Sequence, residues 1–186
     1  MPRRWLTRAN LLTLLRLLSA PALYLAVVDD RAGVATAIFS FAVATDVADG
    51  WVARRYGEAT PLGGLADHLV DAIFVTTGAA ALAAADRLPV VLSPLIAAAF
   101  TQYMLDSGAL ATRGLRASSL GRYNGIAYYV IVAIPIVRDA LGLQWPAPGL
   151  VMGLGWALVA STLLSMAGRL RLSLSGARRR GAGAPE

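Results

Sequence analysis

Residues 33–52 read GVATAIFSFAVATDVADGWV, from Gly33 to Val52: apolar enough to cross a bilayer, yet carrying Asp46 and Asp49 near the end. A helix that spans the hydrocarbon core needs roughly 20 mostly apolar residues. Working outward, five more stretches meet that requirement: Asn10–Val28, Leu65–Ala85, Pro89–Ala109, Tyr123–Leu141 and Gly149–Met166. Pro94 and Pro135 fall inside spans, where proline kinks a helix without having to end it. The expectation is an all-α, polytopic membrane protein with six transmembrane helices. Residues 1–170 would form a single domain and residues 171–186 a basic, disordered tail.

Composition agrees. Of 186 residues, 57% are hydrophobic and 15% charged, against about a quarter charged in an ordinary soluble domain. The net charge of +6 comes entirely from arginine, since the chain has no lysine. Those arginines lie in short clusters between apolar blocks and form no basic module, so nucleic acid is not the expected partner; membrane lipid is. The absence of cysteine removes disulfides, thiolate metal sites and cysteine nucleophiles from consideration.

Arginine placement gives an orientation. Arg3, Arg4 and Arg8, then Arg54 and Arg55, then Arg113, Arg116 and Arg122, then Arg169, Arg171, Arg178, Arg179 and Arg180 all fall on one side of a six-span chain. The other side has Arg31, Arg87 and Arg138, each next to an aspartate. The positive-inside rule makes the first side cytoplasmic, with both termini there, as expected for a bacterial-type inner membrane. Asn10 and Arg16 interrupt the first apolar run, unlike the uninterrupted core of a cleavable signal peptide, so that run is read as a retained span.

The acids pose the functional question. An ionisable group inside a span costs about 2.5–3.5 kcal/mol on insertion scales and marks a functional site by default. Asp46 and Asp49 are three residues apart, Asp67 and Asp71 four apart, so each pair shares a helix face. A short connection makes the two helices antiparallel neighbours, which brings all four carboxylates to one depth. Three readings follow: ion pairs with Arg16, Arg54 and Arg55; a proton or cation pathway; or chemistry on something lying at the interface. Clustering at one surface, rather than mid-membrane, favours the third. Four oxygen-donor acids suit a hard divalent ion, Mg²⁺ or Mn²⁺, and can hold two. Gly50, Gly63 and Gly64 leave room for a ligand near the backbone, and Arg54 is placed to meet a phosphate.

The pattern Asp46-x-x-Asp49-Gly50-x-x-Ala53-Arg54, eight residues, then Gly63-x-x-x-Asp67-x-x-x-Asp71 resembles the CDP-alcohol phosphotransferase signature at each of its eight fixed positions. Asn10, Thr13 and Arg16 are similar to the N-x-x-T-x-x-R opening of bacterial members. The resemblance implies the six-helix fold of that family and transfer of a phosphatidyl group from CDP-diacylglycerol to an alcohol, with release of CMP, by a homodimer. It implies that Asp46, Asp49, Asp67 and Asp71 hold two divalent ions, with Asp71 as general base. Asp46, Asp49, Gly50, Ala53, Arg54 and Gly63 would then shape the CDP and pyrophosphate site.

The acceptor is less determined. Arg113, Arg116 and Arg122 suit a phosphorylated alcohol, and the chain looks most like the phosphatidylglycerophosphate synthase and cardiolipin synthase branches, so glycerol 3-phosphate is the first expectation. Gly121-Arg122-Tyr123-Asn124-Gly125 keeps one of the two cations those branches place there, and His68 and Ala72 also depart from them. Inositol phosphate, serine and a lipid alcohol therefore stay open. His68, the single histidine, is read as a polar packing or acceptor contact rather than a metal ligand. A small ion-coupled transporter using the same acids is the alternative of another class.

Overall fold

The computed structural model describes residues 8–57, 61–106 and 119–181. It contains six helices: α1 Arg8–Val28, α2 Ala32–Arg55, α3 Pro61–Ala84, α4 Leu92–Asp106, α5 Ser119–Ala140 and α6 Pro148–Gly181. Five are long and apolar enough to cross a membrane, which makes this a multi-pass membrane protein. The fourth stretch differs from expectation. Residues 89–91 are turn rather than helix, and residues 107–109 lie outside the described residues; α4 as described has 15 residues, about 22 Å at 1.5 Å per residue. Pro94 consequently sits in the first turn of α4, where its missing N–H breaks no helical hydrogen bond. Pro21 and Pro135 do lie inside helices. Beside Pro135, the Thr36 hydroxyl of α2 donates to the Ile136 carbonyl at 3.2 Å, binding α2 to α5. At the other end of the chain, α6 continues past residue 170 to Gly181. No proline interrupts that stretch.

Each of the first three helices buries a stripe at helical spacing. On α1 the stripe is Thr13, Arg16, Ala20, Leu23 and Val27; on α2 it is Ala35, Phe39, Ala42, Thr45 and Asp49. On α3 it is Phe74, Val75, Ala79 and Leu82, and Asp67 and Asp71 prolong it by two turns. The polar residues thus continue the rows that pack the core, which is why they meet instead of facing lipid. Outward faces carry Leu11, Leu14, Leu18 and Leu25 of α1, and Trp156, Leu163 and Leu164 of α6, all exposed. In a bilayer those are favourable lipid contacts.

α1 packs against α2 and α3, while α5 packs against α2, α3 and α6, and α4 bridges α3 and α6. Close approach requires small residues, because lipid gives no hydrophobic drive to press helices together. A Cβ on Gly78 would lie 2.9 Å from Val132 Cγ1 and 3.3 Å from Leu23 Cδ2, so this glycine lets α1 and α5 close onto α3. Gly155 does the same for α6, where a Cβ would lie 2.5 Å from Pro89 Cδ.

The end away from the acids is closed by three similar helix stops. Asp30, Asp86 and Gly142 adopt positive φ, and the following N–H bonds back five residues: Arg31 to Ala26, Arg87 to Leu82, Leu143 to Arg138. This is the Schellman geometry, and aspartate tolerates the left-handed position better than most residues. Arg87 then bridges Asp30 at 2.6 Å and Asp139 at 2.8 Å, and Arg138 pairs with Asp139. The sparse arginines of this side tie helix ends together.

Candidate active site

The four aspartates of α2 and α3 do converge, and they converge on Arg16 of α1. Its Nη1 lies 2.9 Å from Asp67 Oδ1, 2.5 Å from Asp71 Oδ1 and 3.0 Å from Asp46 Oδ1; Nη2 lies 2.5 Å from Asp49 Oδ2. The N–H bonds of Nη1 point to Asp67 and Asp71, and one of Nη2 to Asp49. Asp46 is held by charge alone. Arg16 is fully buried, Asp49 is 5% exposed, and the Asp46 side chain is 41% exposed. The site therefore grades from a closed floor at Arg16 and Asp49 to an open rim at Asp46.

Local structure explains this. Arg16 sits on the α1 stripe between Thr13 and Ala20, so its side chain enters the junction of α1, α2 and α3. Ser19 caps the geometry by donating to the Arg16 carbonyl at 2.7 Å. Asp46 and Asp49 occupy the last turns of α2 before Arg55, and Asp67 and Asp71 the second and third turns of α3. Antiparallel packing through a short connection then levels the two pairs.

One guanidinium against four carboxylates leaves three negative charges without a partner, and among the described residues no other ion pair reaches them. Buried charges of one sign at such spacing are untenable unless neutralised. Carboxylate oxygens of Asp46, Asp49 and Asp67 lie within 4.8 Å of one another, as do ligand atoms of Asp67, His68 and Asp71. Two donor groups sharing Asp67, mainly of hard oxygen atoms, fit Mg²⁺ or Mn²⁺. His68 is closer to the acids than its position one residue from Asp67 suggests.

The remaining expected residues divide. Gly63 is half-buried at the start of α3. Gly50, Ala53 and Arg54 follow the acids on α2, with side chains outside the described residues, whereas Arg55 is exposed. Arg113 and Arg116 lie outside the described residues; Arg122 is exposed on the first turn of α5. Beside the acids, a cavity of about 260 Å³ lies between α3 and α4, lined by His68, Ala72, Thr76, Phe100 and Met104 among others. Its walls are mainly apolar.

Sequence reasoning named Arg16 as a possible ion-pair partner but not as the centre of the site. The available signal was its placement, a lone arginine in an apolar span at about the depth of the acids. A second polar seam went unforeseen: Tyr128 bonds Thr162 at 2.8 Å and Ser161 bonds Asn124 at 2.7 Å, joining α5 to α6.

Fold and site together define a polytopic membrane protein with a polycarboxylate centre built by two adjacent helices at one end of the bundle. Residues 6–165 match the CDP-alcohol phosphatidyltransferase family, and the chain belongs to that family. Over 90 residues it is 36% identical to a cardiolipin synthase (CMP-forming)/mitochondrial hydrolase fusion protein of Schizosaccharomyces pombe, covering 48% of this chain and 15% of that protein. Over 91 residues it is 32% identical to human cardiolipin synthase (CMP-forming), covering 48% of this chain and 30% of the human one. The matched segment is thus under a third of the length of these relatives. No solved structure matches the chain.

Proposed function

We propose that the protein transfers the phosphatidyl group of CDP-diacylglycerol to the hydroxyl of an alcohol and releases CMP. The observation that carries this reading is the convergence of Asp46, Asp49, Asp67 and Asp71 on one point, with more carboxylates than the described cations offset. These four would hold Mg²⁺ or Mn²⁺, which when bound supplies positive charge to offset that developing on the diphosphate. The acceptor oxygen attacks the phosphatidyl phosphorus, the phosphorus–oxygen bond to CMP breaks, and the hydroxyl proton passes to Asp71. Asp71 suits that role as a carboxylate held by Arg16 beside the cavity wall at Ala72. Gly50, Ala53, Arg54 and Gly63 border the space for cytidine and pyrophosphate, and Arg54 provides a fork for phosphate oxygens. The acyl chains stay in lipid along the exposed apolar faces.

Two acceptors divide the observations. Glycerol 3-phosphate is favoured by the basic connection that holds Arg113, Arg116 and Arg122. A lipid alcohol is favoured by the apolar lining of the cavity beside His68 and by relatives named as cardiolipin synthases. On the arginine distribution the site faces the cytoplasm of a bacterial-type inner membrane, and on the family resemblance the working unit is a homodimer. The deciding experiment is CMP release by purified protein from CDP-diacylglycerol with Mn²⁺. Glycerol 3-phosphate, phosphatidylglycerol, inositol phosphate, inositol and serine are supplied one at a time. Release with one acceptor assigns it; none with any of them refutes the enzymatic reading.

A further inference from the structure

Arg16 of α1 reaches four carboxylates from two helices, α2 and α3, and these same acids supply the oxygen donors a divalent ion would take. A guanidinium and an ion cannot both occupy the point where those lone pairs meet. Arg16 is also fully buried, and its Nε–H has no hydrogen-bond partner among the described residues. A buried donor without a partner in a site built for charge points toward a ligand that accepts hydrogen bonds. Its backbone is anchored mid-helix between the buried Thr13 and Ala20.

We infer that Arg16 is an exchangeable internal counter-ion: it holds the four acids together before divalent ions bind, gives up carboxylate contacts to those ions, and turns its freed N–H groups to the donor's diphosphate. The inference rests on the metal reading above and goes beyond it, because it gives Arg16 two successive partners. Charge favours the exchange. Two divalent ions match the four carboxylates, and Arg16 is then the surplus cation in a buried site, facing an incoming anion. Guanidinium–phosphate pairing is strong and directional, which suits a residue that must hold a diphosphate without competing for the ions.

Removing the charge should therefore tighten ion binding and weaken diphosphate binding, opposite effects that a purely structural arginine would not produce. The test uses the full chain in detergent, comparing wild type with Arg16→Gln and Arg16→Lys. Mn²⁺ affinity is measured by titration calorimetry, and CDP affinity at saturating Mn²⁺. Arg16→Gln is expected to bind Mn²⁺ at least about tenfold more tightly, and CDP at least about tenfold more weakly. Arg16→Lys, which keeps the charge, should stay within about threefold of wild type for Mn²⁺. Thermal unfolding across a Mn²⁺ series covers folding: the Gln variant should be rescued by Mn²⁺ to a greater degree than wild type. Equal Mn²⁺ affinity in the Gln and Lys variants, weaker Mn²⁺ binding by the Gln variant, or a Gln variant unfolded at every Mn²⁺ concentration overturns the exchange while leaving the metal reading intact. Wild type that binds no Mn²⁺ overturns both.

Discussion

Gly78 is where the fold and the site can be perturbed together. A methyl added there would meet Val132 Cγ1 at 2.9 Å and Leu23 Cδ2 at 3.3 Å, against about 3.5–4.0 Å for relaxed carbon contacts. Val132 must retreat by roughly 0.6 Å or more, and a β-branched side chain in a helix has essentially one rotamer. The strain therefore passes to the α3–α5 spacing. Alanine gains about 1 kcal/mol over glycine in helix propensity, whereas overpacking costs about 1–3 kcal/mol. Gly78→Ala should thus cost a net ~0–2 kcal/mol. Val132→Ala, at a fully buried position, should cost about 1–3 kcal/mol through lost packing. In the double variant the added methyl enters the space Val132 vacates, so the loss should fall short of the sum by about 1 kcal/mol or more. Reversible unfolding in mixed micelles measures the cycle. Gly78 is two turns from Asp71, about 10 Å along α3, so CMP release should drop in the single variant and recover in the double one. Additivity within about 0.5 kcal/mol refutes the packing argument.

Three further expectations can be checked with the same preparations. Asp71→Asn should lower CMP release by at least about a hundredfold while CDP-lipid still binds; loss of binding instead would assign Asp71 to holding the ions rather than to proton transfer. Gly155→Ala should lose about 1–3 kcal/mol against the rigid Pro89 ring, whereas Gly153→Ala, with nothing within 4 Å, should be neutral or gain up to about 1 kcal/mol. Matching unfolding curves for those two variants contradict the α6 packing described. Arg87→Gln loses contacts to Asp30 and Asp139 and should cost about 1 kcal/mol at low salt, with the difference from wild type shrinking as salt rises; a salt-independent difference means the ion pairs are not its source.

The acidic half of the site was legible in the sequence because helical periodicity is local. Three- and four-residue spacing places Asp46 with Asp49 and Asp67 with Asp71, and a short connection levels the pairs. Arg16 was harder, since nothing local relates it to acids 30 to 55 residues later; only the packing of α1 into the α2–α3 groove does. The start of the fourth span was placed three residues early for a similar reason. Pro89, Val90 and Val91 are apolar enough to read as the start of a span, but they belong to the turn that follows the left-handed Asp86, and the helix begins only at Leu92. Composition reports which solvent surrounds a segment, and it does not distinguish helix from a buried turn.

The meeting of α1, α2 and α3 at one guanidinium also bears on how the chain enters the membrane. Inserted alone, α2 and α3 would each carry two acids into the bilayer, at about 2.5–3.5 kcal/mol apiece if fully embedded. Arg16 leaves the ribosome before any of them and is itself costly in lipid. α1 therefore carries the counter-charge for both later helices, and partition is cheapest when α2 and α3 leave the insertion machinery as a hairpin already docked on α1. The charges that make the site reactive thereby favour collective biogenesis: the three spans become stable residents of the bilayer together.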